Sequence, residues 1–547
     1  MVYRVPVATY RLQFNAHFTL QDARQIVPYL AELGITDLYS SPLLRPRKGS
    51  EHGYDIVDPT MLNPEIGNDD DFAAMRAELD RHGMGLVLDV VPNHMAASHE
   101  NAWWMSVLEN GAHSRYLHYF DIDWRPVAAH GRVEDKVLLP ILGKPYGETL
   151  ESKEIQIGFD ADGLYFSYFD KRLPLAPQSY HIVLRECVEA LPDEGAGSEV
   201  RDLVANDEVI ANSRFLKDTL WRLHEQSEAF CQTLDRVLAK FNGEQGKPET
   251  FNELDHLLDA QWYRLAYWKI ASETINYRRF FDVTDLVGLR IENPEVFETR
   301  NKRILEWIAA GKITGIRIDH IDGLFDPVNY LSKLQLRLGD PATEETEQFY
   351  VVVEKILAAD ESLPPQFRVA GTTGYDFLDI ANTVFVDPRG LASLTEFYRA
   401  YTGITTEFED LVYERKKQVI HDLFSGEMRA LAMHLASLAV ADRNARDFSP
   451  ADLQVALLEV TACMPVYRTY VREAPVNDAD RAILTRALAE ARRRAGTAIE
   501  ARVFTFVQEV LLLDPPVYIA TERDTWLQFV MRWQQFTGRV MAKGVED

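Results

Sequence analysis

The sequence predicts an α/β protein, a (β/α)8 TIM barrel interrupted by a mixed insertion domain and a large helical insertion. Three observations point there. Helix, glycine, apolar strand and polar tip recur in that order within the first hundred residues and again after residue 293. That is the grammar of a barrel whose active residues sit at the C-terminal strand ends. Residues 86–91 and 349–354 are nearly continuous apolar runs, each with one carboxylate, Asp89 and Glu354, as parallel strands covered on both faces require. No Gly-rich phosphate loop follows the first strand, which argues against an open dinucleotide-binding sheet.

Residues 8–12 read as the first strand. Residues 18–33 carry helical spacing in Leu20, Ala23, Val27 and Leu30 and stop at Gly34, a good residue just past a helix end. Residues 35–39 form the next strand, ended by Ser40, Ser41 and Pro42. A second helix begins in Asp69, Asp70 and Asp71, whose charges suit a helix N-terminus, and breaks at Gly83 before the strand at 86–91. Farther on, Asn293 and Pro294 form a cap with proline at the first helical position. Residues 296–310 are helical, Gly311 closes them, and 313–318 are a β-branched strand. A further helix leads to the strand at 349–354.

Two long segments interrupt this pattern. Residues 115–260 mix short strands, at 137–139 and 164–166, with charged helical sequence. Residues 390–515 read almost wholly as amphipathic helix: Leu484, Ala487, Leu488 and Ala491 keep the spacing beside Arg486 and Arg493, an expected solvated face. The expected organisation is the first part of the barrel at 1–114, a mixed α/β subdomain at 115–260 and the barrel continued at 261–389. A helical insertion at 390–515 and a return to the barrel at 516–547 complete it.

Composition bounds the function. The chain has 547 residues, 46% hydrophobic and 26% charged, ordinary for a globular protein. A net charge of −26 argues against nucleic acid and against an anionic membrane surface, since both need basic patches. A neutral substrate such as a sugar is compatible with it, and nine Trp supply faces for packing on sugar rings. Cys187, Cys231 and Cys463 lie far apart without metal or disulfide spacing, which implies a reducing, cytoplasmic setting. The N-terminus lacks the apolar core of a signal peptide, and no apolar run is long enough to cross a bilayer.

The candidate chemistry gathers at strand ends. In residues 315–323 side chains alternate, so Arg317 and Asp319 point the same way. The guanidinium is expected to keep Asp319 ionised and oriented, as a carboxylate nucleophile needs; a structural ion pair is the competing reading. Glu354, leaving an apolar strand, is expected to be partly desolvated with its pKa raised, as a general acid needs. Asp89, Asn93 and His94 follow another strand, and a loop carries His52, Tyr54 and Asp55. Two carboxylates with opposed tuning are the equipment of a retaining glycosidase or transglycosylase.

Residues 89–94, 315–320 and 353–354, together with His52, Gly53, Tyr54 and Asp55, resemble signature regions of the alpha-amylase superfamily. Residues 8–14, 276–281, 371–377 and 541–547 narrow the resemblance to the maltooligosyltrehalose synthase family over essentially the whole chain. The resemblance implies Asp319 as nucleophile, Glu354 as acid and base, and Asp547 as the third carboxylate, with Asp376 the competing candidate. It further implies substrate contacts from His52, Tyr54, Asp89, His94, Arg317, His320, Tyr375 and Asp376. The implied substrate is a maltooligosaccharide, with neither metal nor organic cofactor. A maltooligosyltrehalose trehalohydrolase would be the functional partner. An aromatic cage of Tyr375, Phe377 and residues 277–281 is expected to hold freed glucose and exclude water; plain core packing is the alternative for those rings. The family continues past Asp547 with the rest of the barrel and a C-terminal β-domain, so the barrel is expected to be truncated at its C-terminal end. The implied reaction converts the reducing-end α-1,4 linkage to α,α-1,1. An α-1,4-glucan hydrolase or other transglycosylase of the superfamily, or an inactive carbohydrate-binding form, is the alternative.

Overall fold

The structure, a computed structural model, describes residues 4–125, 135–192, 194–205, 213–338 and 348–546. Among these residues six strands form one all-parallel sheet: β1 (Thr9–Leu12), β2 (Asp37–Ser40), β3 (Gly85–Val90), β4 (Gly315–Ile318), β5 (Tyr350–Val353) and β6 (Gly371–Thr372), in sequence order. Sequence-ordered parallel strands, most of them with helices between, form a half-barrel, part of the eight-stranded barrel that the repeated grammar predicts. β3 and β4 are buried at every position, which is why they read as unbroken apolar runs.

The helices start where the sequence places them. α1 (Leu20–Glu32) opens on a capping box between Thr19 and Asp22, and α2 (Asp69–Arg81) on one between Asn68 and Asp71, each satisfying otherwise unpaired N–H groups. α3 (Pro294–Ala309) is capped by Asn293, and α4 (Pro327–Leu338) precedes β5.

By contact the chain divides into two units. The first comprises Met1–Met95, Arg279–Val283 and Gly288–Asp547; the second, Ala96–Arg278 and Thr284–Val287. The second unit holds a three-stranded antiparallel sheet of Ile155–Asp160, Gly163–Tyr168 and Lys171–Pro174. Val137–Leu142 pairs there in parallel with Tyr263–Tyr267.

The first unit continues after β6 into α5 (Tyr375–Thr383), α6 (Pro388–Thr402), α7 (Phe408–Leu423), α8 (Ser425–Val440), α9 (Pro450–Ala462), α10 (Asp478–Ala495), α11 (Ala501–Leu511) and α12 (Arg523–Val545). From α7 to α12 these helices share one apolar core that includes Phe424, Leu457, Leu484, Phe504, Trp526 and Trp533. Leu484, Ala487, Leu488 and Ala491 face it, while Arg486 and Arg493 are solvated. The expectation that the charged residues of this region are solvated fails at Lys416, Asp442, Glu459, Arg468 and Asp480, all of them buried. Arg468 is buried with its guanidinium on the carbonyls of Asp322 and Leu324, and Lys416 is buried with its ammonium on the carbonyl of Met464. Both cations are satisfied by hydrogen bonds that no local pattern announces. α5 and α6 bury none of their residues, leaving Phe377, Phe397 and Tyr401 exposed.

Candidate active site

Strand register assembles the site. Asp89 pairs across from Arg317, and Arg317 across from Val352. The ladder runs on past the strand ends: the Asp319 N–H donates to Val90 O at 2.8 Å and the Glu354 N–H to Ile318 O at 2.9 Å. Alternation puts Arg317 and Asp319 on the face of Asp89, and Glu354, two residues beyond Val352, rises beside Asp319.

One guanidinium serves three carboxylates. Arg317 Nη1 donates to Asp89 Oδ1 and to Asp319 Oδ1, each at 2.8 Å, and Nη2 lies 3.0 Å from Glu354 Oε1. The other oxygen of Asp319, Oδ2, is buried without a hydrogen-bond partner among the described residues. Glu354 Oε2 accepts the His320 N–H at 2.8 Å, and the Tyr375 hydroxyl lies 3.4 Å from Oε1. Asp89 Oδ2 accepts from Tyr54 at 2.5 Å and from Tyr39 at 2.9 Å.

Three carboxylates around one cation leave the cluster short of positive charge. The sequence-based expectation was that Arg317 lowers the pKa of Asp319; the structure reverses it. Burial, then the charge of Glu354, push the Asp319 carboxyl well above its ordinary range, with Asp89 adding to them and Arg317 only partly offsetting the sum. Asp89 is raised too, by burial first, against Arg317, Tyr54 and Tyr39. Both phenols are raised by burial and by the facing Asp89 charge.

Rings gather on the neighbouring turn. His94 packs on Phe280 with centroids 4.4 Å apart, and His320 on Phe280 and Phe281 at 5.2 and 4.9 Å. His320 takes the left-handed conformation, φ 46°, uncommon for such a residue and a mark of functional turns; here its N–H meets Glu354. Gly323 makes room for it, since a Cβ there would fall 2.2 Å from His320 Cδ2. His52 is largely exposed, stacks on Tyr54 and accepts that residue's N–H at 3.1 Å.

The expected residues divide by placement. Asp319, Glu354, Arg317, Asp89, Tyr54 and His320 come together, His94 joins through Phe280, and Tyr375 reaches Glu354 from the first turn of α5 while 41% exposed. Asp376 does not join the guanidinium cluster: it is exposed and accepts the Thr372 hydroxyl. Of the expected aromatic cage, Phe280 and Phe281 pack on each other and on His320, while Tyr375 reaches Glu354. Phe377 is 73% exposed, because successive residues of a helix point in different directions. Tyr277 belongs to the second unit, where its hydroxyl donates to Thr284 O and its ring meets Trp104. Asp547 lies outside the described residues. Its neighbour Glu546 helps raise the Tyr375 phenol, after burial and Glu354 and against Arg317.

Sequence reasoning passes over Tyr39 and gives Arg11 no role at the site. Tyr39 lies one residue before the end of β2 and shares the carboxylate of Asp89; Arg11 donates to the Tyr54 hydroxyl at 3.2 Å and lies over the Tyr39 ring. The available signal was position, since both sit in the polar tips of early strands.

The alpha amylase catalytic-domain model matches residues 19–156. A putative maltooligosyl trehalose synthase of Mycobacterium tuberculosis is 32% identical over 443 residues, 80% of this chain and 46% of that protein. The structure of maltooligosyltrehalose synthase from Arthrobacter ramosus superposes with a TM-score of 0.72 at 31% identity, over 99% of this chain and 56% of that one. A hypothetical maltooligosyl trehalose synthase of Sulfolobus tokodaii gives 0.67 at 27% identity, over 100% and 56%. The chain therefore spans about half the length of these relatives.

Proposed function

The chain belongs to the maltooligosyl trehalose synthase family of the alpha-amylase superfamily, and on that premise we propose that it catalyses an intramolecular transglycosylation. The reducing-end α-1,4 linkage of a maltooligosaccharide becomes an α,α-1,1 linkage. The observation that carries this reading is the pair of carboxylates on one guanidinium, Asp319 with a buried oxygen unpartnered among the described residues and Glu354 beside it.

Asp319 Oδ2 attacks the anomeric carbon of the penultimate glucose as the bond to O4 of the terminal glucose breaks. Glu354 delivers its proton to that departing O4. The freed glucose turns over in its subsite, and its anomeric hydroxyl attacks the covalent intermediate while Glu354 takes the hydroxyl proton. One proton is given and one recovered, and two inversions give net retention. Arg317 holds Asp319 and Glu354 in place. Tyr54, Asp89, His94, His320 and Tyr375 bind the sugars around the broken bond, with His52 and Asp376 at the rim. Asp547 stabilises the positively charged transition state, the role that the family resemblance implies for it. The trehalose unit that then ends the product suits a trehalohydrolase as the next enzyme. No helix among the described residues is long and apolar enough to cross a membrane, consistent with action on a dissolved glucan.

Incubation with maltopentaose tests the reading. The expected product has the mass of the substrate, no reducing end and an α,α-1,1 anomeric signal by NMR. New reducing ends at a rate equal to substrate loss would replace the reading with α-1,4-glucan hydrolysis. The half-exposed Tyr375 favours that second reading, because an open site admits water.

A further inference from the structure

Lys355 follows Glu354 directly, so the two side chains leave the strand end in opposite directions. Glu354 faces Arg317. The Lys355 ammonium is fully buried on the other side, 3.1 Å from Asp322 Oδ2 and 2.9 Å from Glu361 Oε1. Neither the strand pattern nor the proposed reaction calls for a cation there.

Its two partners show what it connects. Asp322 lies in the turn Ile321–Gly323, next to His320, whose N–H binds Glu354 Oε2 at 2.8 Å. Glu361 closes the loop after β5, its other oxygen accepting the Ala358 N–H at 3.0 Å. The turn after β4 is itself fixed from the helical region. Arg468 donates to Asp322 O and Leu324 O at 2.8 and 2.6 Å, Gln535 to Gly323 O at 3.0 Å, and the Tyr470 hydroxyl to Asp322 Oδ1. The rings of Tyr467 and Tyr470 flank the ammonium at 5.3 and 6.0 Å. Lys355 and Arg468 thus hold the same turn from two sides, the ammonium through the Asp322 carboxylate and the guanidinium through the Asp322 and Leu324 carbonyls.

We propose that Lys355 is a positioning residue for the reaction: its buried ammonium ties the turn carrying His320 to the strand end carrying Glu354, and so fixes where the Glu354 carboxyl stands. This rests on the reading of Glu354 as acid and base. Without the ammonium the two loops lose the ion pair that joins them, the His320 N–H drifts from Glu354, and the carboxyl no longer stands over the leaving oxygen. Substrate binding, which Tyr54, Asp89, His94 and Tyr375 share with His320, changes far less than turnover.

The test compares the full chain with Lys355→Met and Lys355→Arg. Lys355→Met leaves two buried carboxylates without their shared cation and so destabilises the chain, and circular dichroism first establishes that it is folded. In Lys355→Met, kcat on maltopentaose is expected to fall about 30-fold, as misplacement of a reacting group by a fraction of an ångström does, while KM stays within about twofold. Amide hydrogen exchange over residues 318–324 and 354–361 is expected to accelerate about tenfold, reporting local opening, and Lys355→Arg to recover part of both losses. A folded Lys355→Met with the parent's kcat, a fall in kcat matched by a rise in KM, or unchanged exchange in both segments each overturns the proposal. Should Lys355→Met fail to fold, Glu361→Gln leaves the lysine with Asp322 alone and is expected to lower kcat about three- to tenfold at constant KM; no change there also overturns it. If the parent chain forms no 1,1-linked product, the reaction reading fails, and the exchange comparison still decides whether Lys355 joins the two loops.

Discussion

Replacing Arg317 with methionine removes the guanidinium that Asp89, Asp319 and Glu354 share at 2.8, 2.8 and 3.0 Å. The cluster then carries three carboxylates in a largely buried space. Breaking a buried pair by removing one partner costs about 3–5 kcal/mol. At roughly 2–4 °C per kcal/mol for a domain of moderate size, the melting temperature should fall by roughly 6–20 °C near pH 8. The pH dependence follows from the sign of the shifts. Asp319 and Asp89 have folded pKa values above their unfolded ones. Their contribution to stability is therefore fully present below the unfolded value of about 3.9 and is lost as pH rises through the folded values. Arg317 limits that loss by stabilising the ionised forms. Removing it raises both values further, so the gap between parent and variant must widen from pH 5 to pH 8. The assay is thermal unfolding by circular dichroism at the two pH values. Equal destabilisation at pH 5 and pH 8, or none at either, would falsify the account of one cation offsetting three buried charges.

Asp319→Asn should reduce turnover on maltopentaose by at least about a thousandfold yet melt no lower than the parent at pH 8, since it removes a carboxyl whose ionisation burial opposes; melting well below the parent would contradict that. Glu354→Gln should abolish turnover of the natural glucan but still release fluoride from an α-glucosyl fluoride in a single burst, because that leaving group needs no proton. Absence of the burst would remove Glu354 as the acid of the first step. Gly323→Ala should lower kcat about tenfold or more while keeping the fold, because the added methyl meets His320 and displaces its ring; unchanged kinetics would count against the tight seat of that turn. Lys416, pushed down to about 8 by burial, is destabilising when charged. Lys416→Met should therefore stabilise the chain by about 1–3 kcal/mol at pH 7, after the lost bond to Met464 O is allowed for. That gain should fade as pH rises from about 8 towards about 10.4, and denaturant titration at pH 7 and pH 10 checks it.

Much of the fold was legible because it rests on short-range rules. Caps at Thr19, Asn68 and Asn293, glycines after helices and apolar runs at β3, β4 and β5 are local signals, and the structure places these elements within a few residues of where the sequence puts them. Period-two alternation and a shared polar tip were likewise enough to set Arg317, Asp319 and Glu354 on one face. Other features depend on what arrives from far along the chain. Arg317 meets Asp89 across 228 positions, and only that meeting makes one cation answer to three carboxylates and raises Asp319 where a pairwise reading lowers it. Tyr39 at Asp89, Lys355 between Asp322 and Glu361, Arg468 on the turn after β4 and the exposure of Phe377 carry no local signature. Secondary structure answers to nearest neighbours, which the sequence spells out; desolvation and charge sum over everything within several ångströms, and only the packed chain fixes that company.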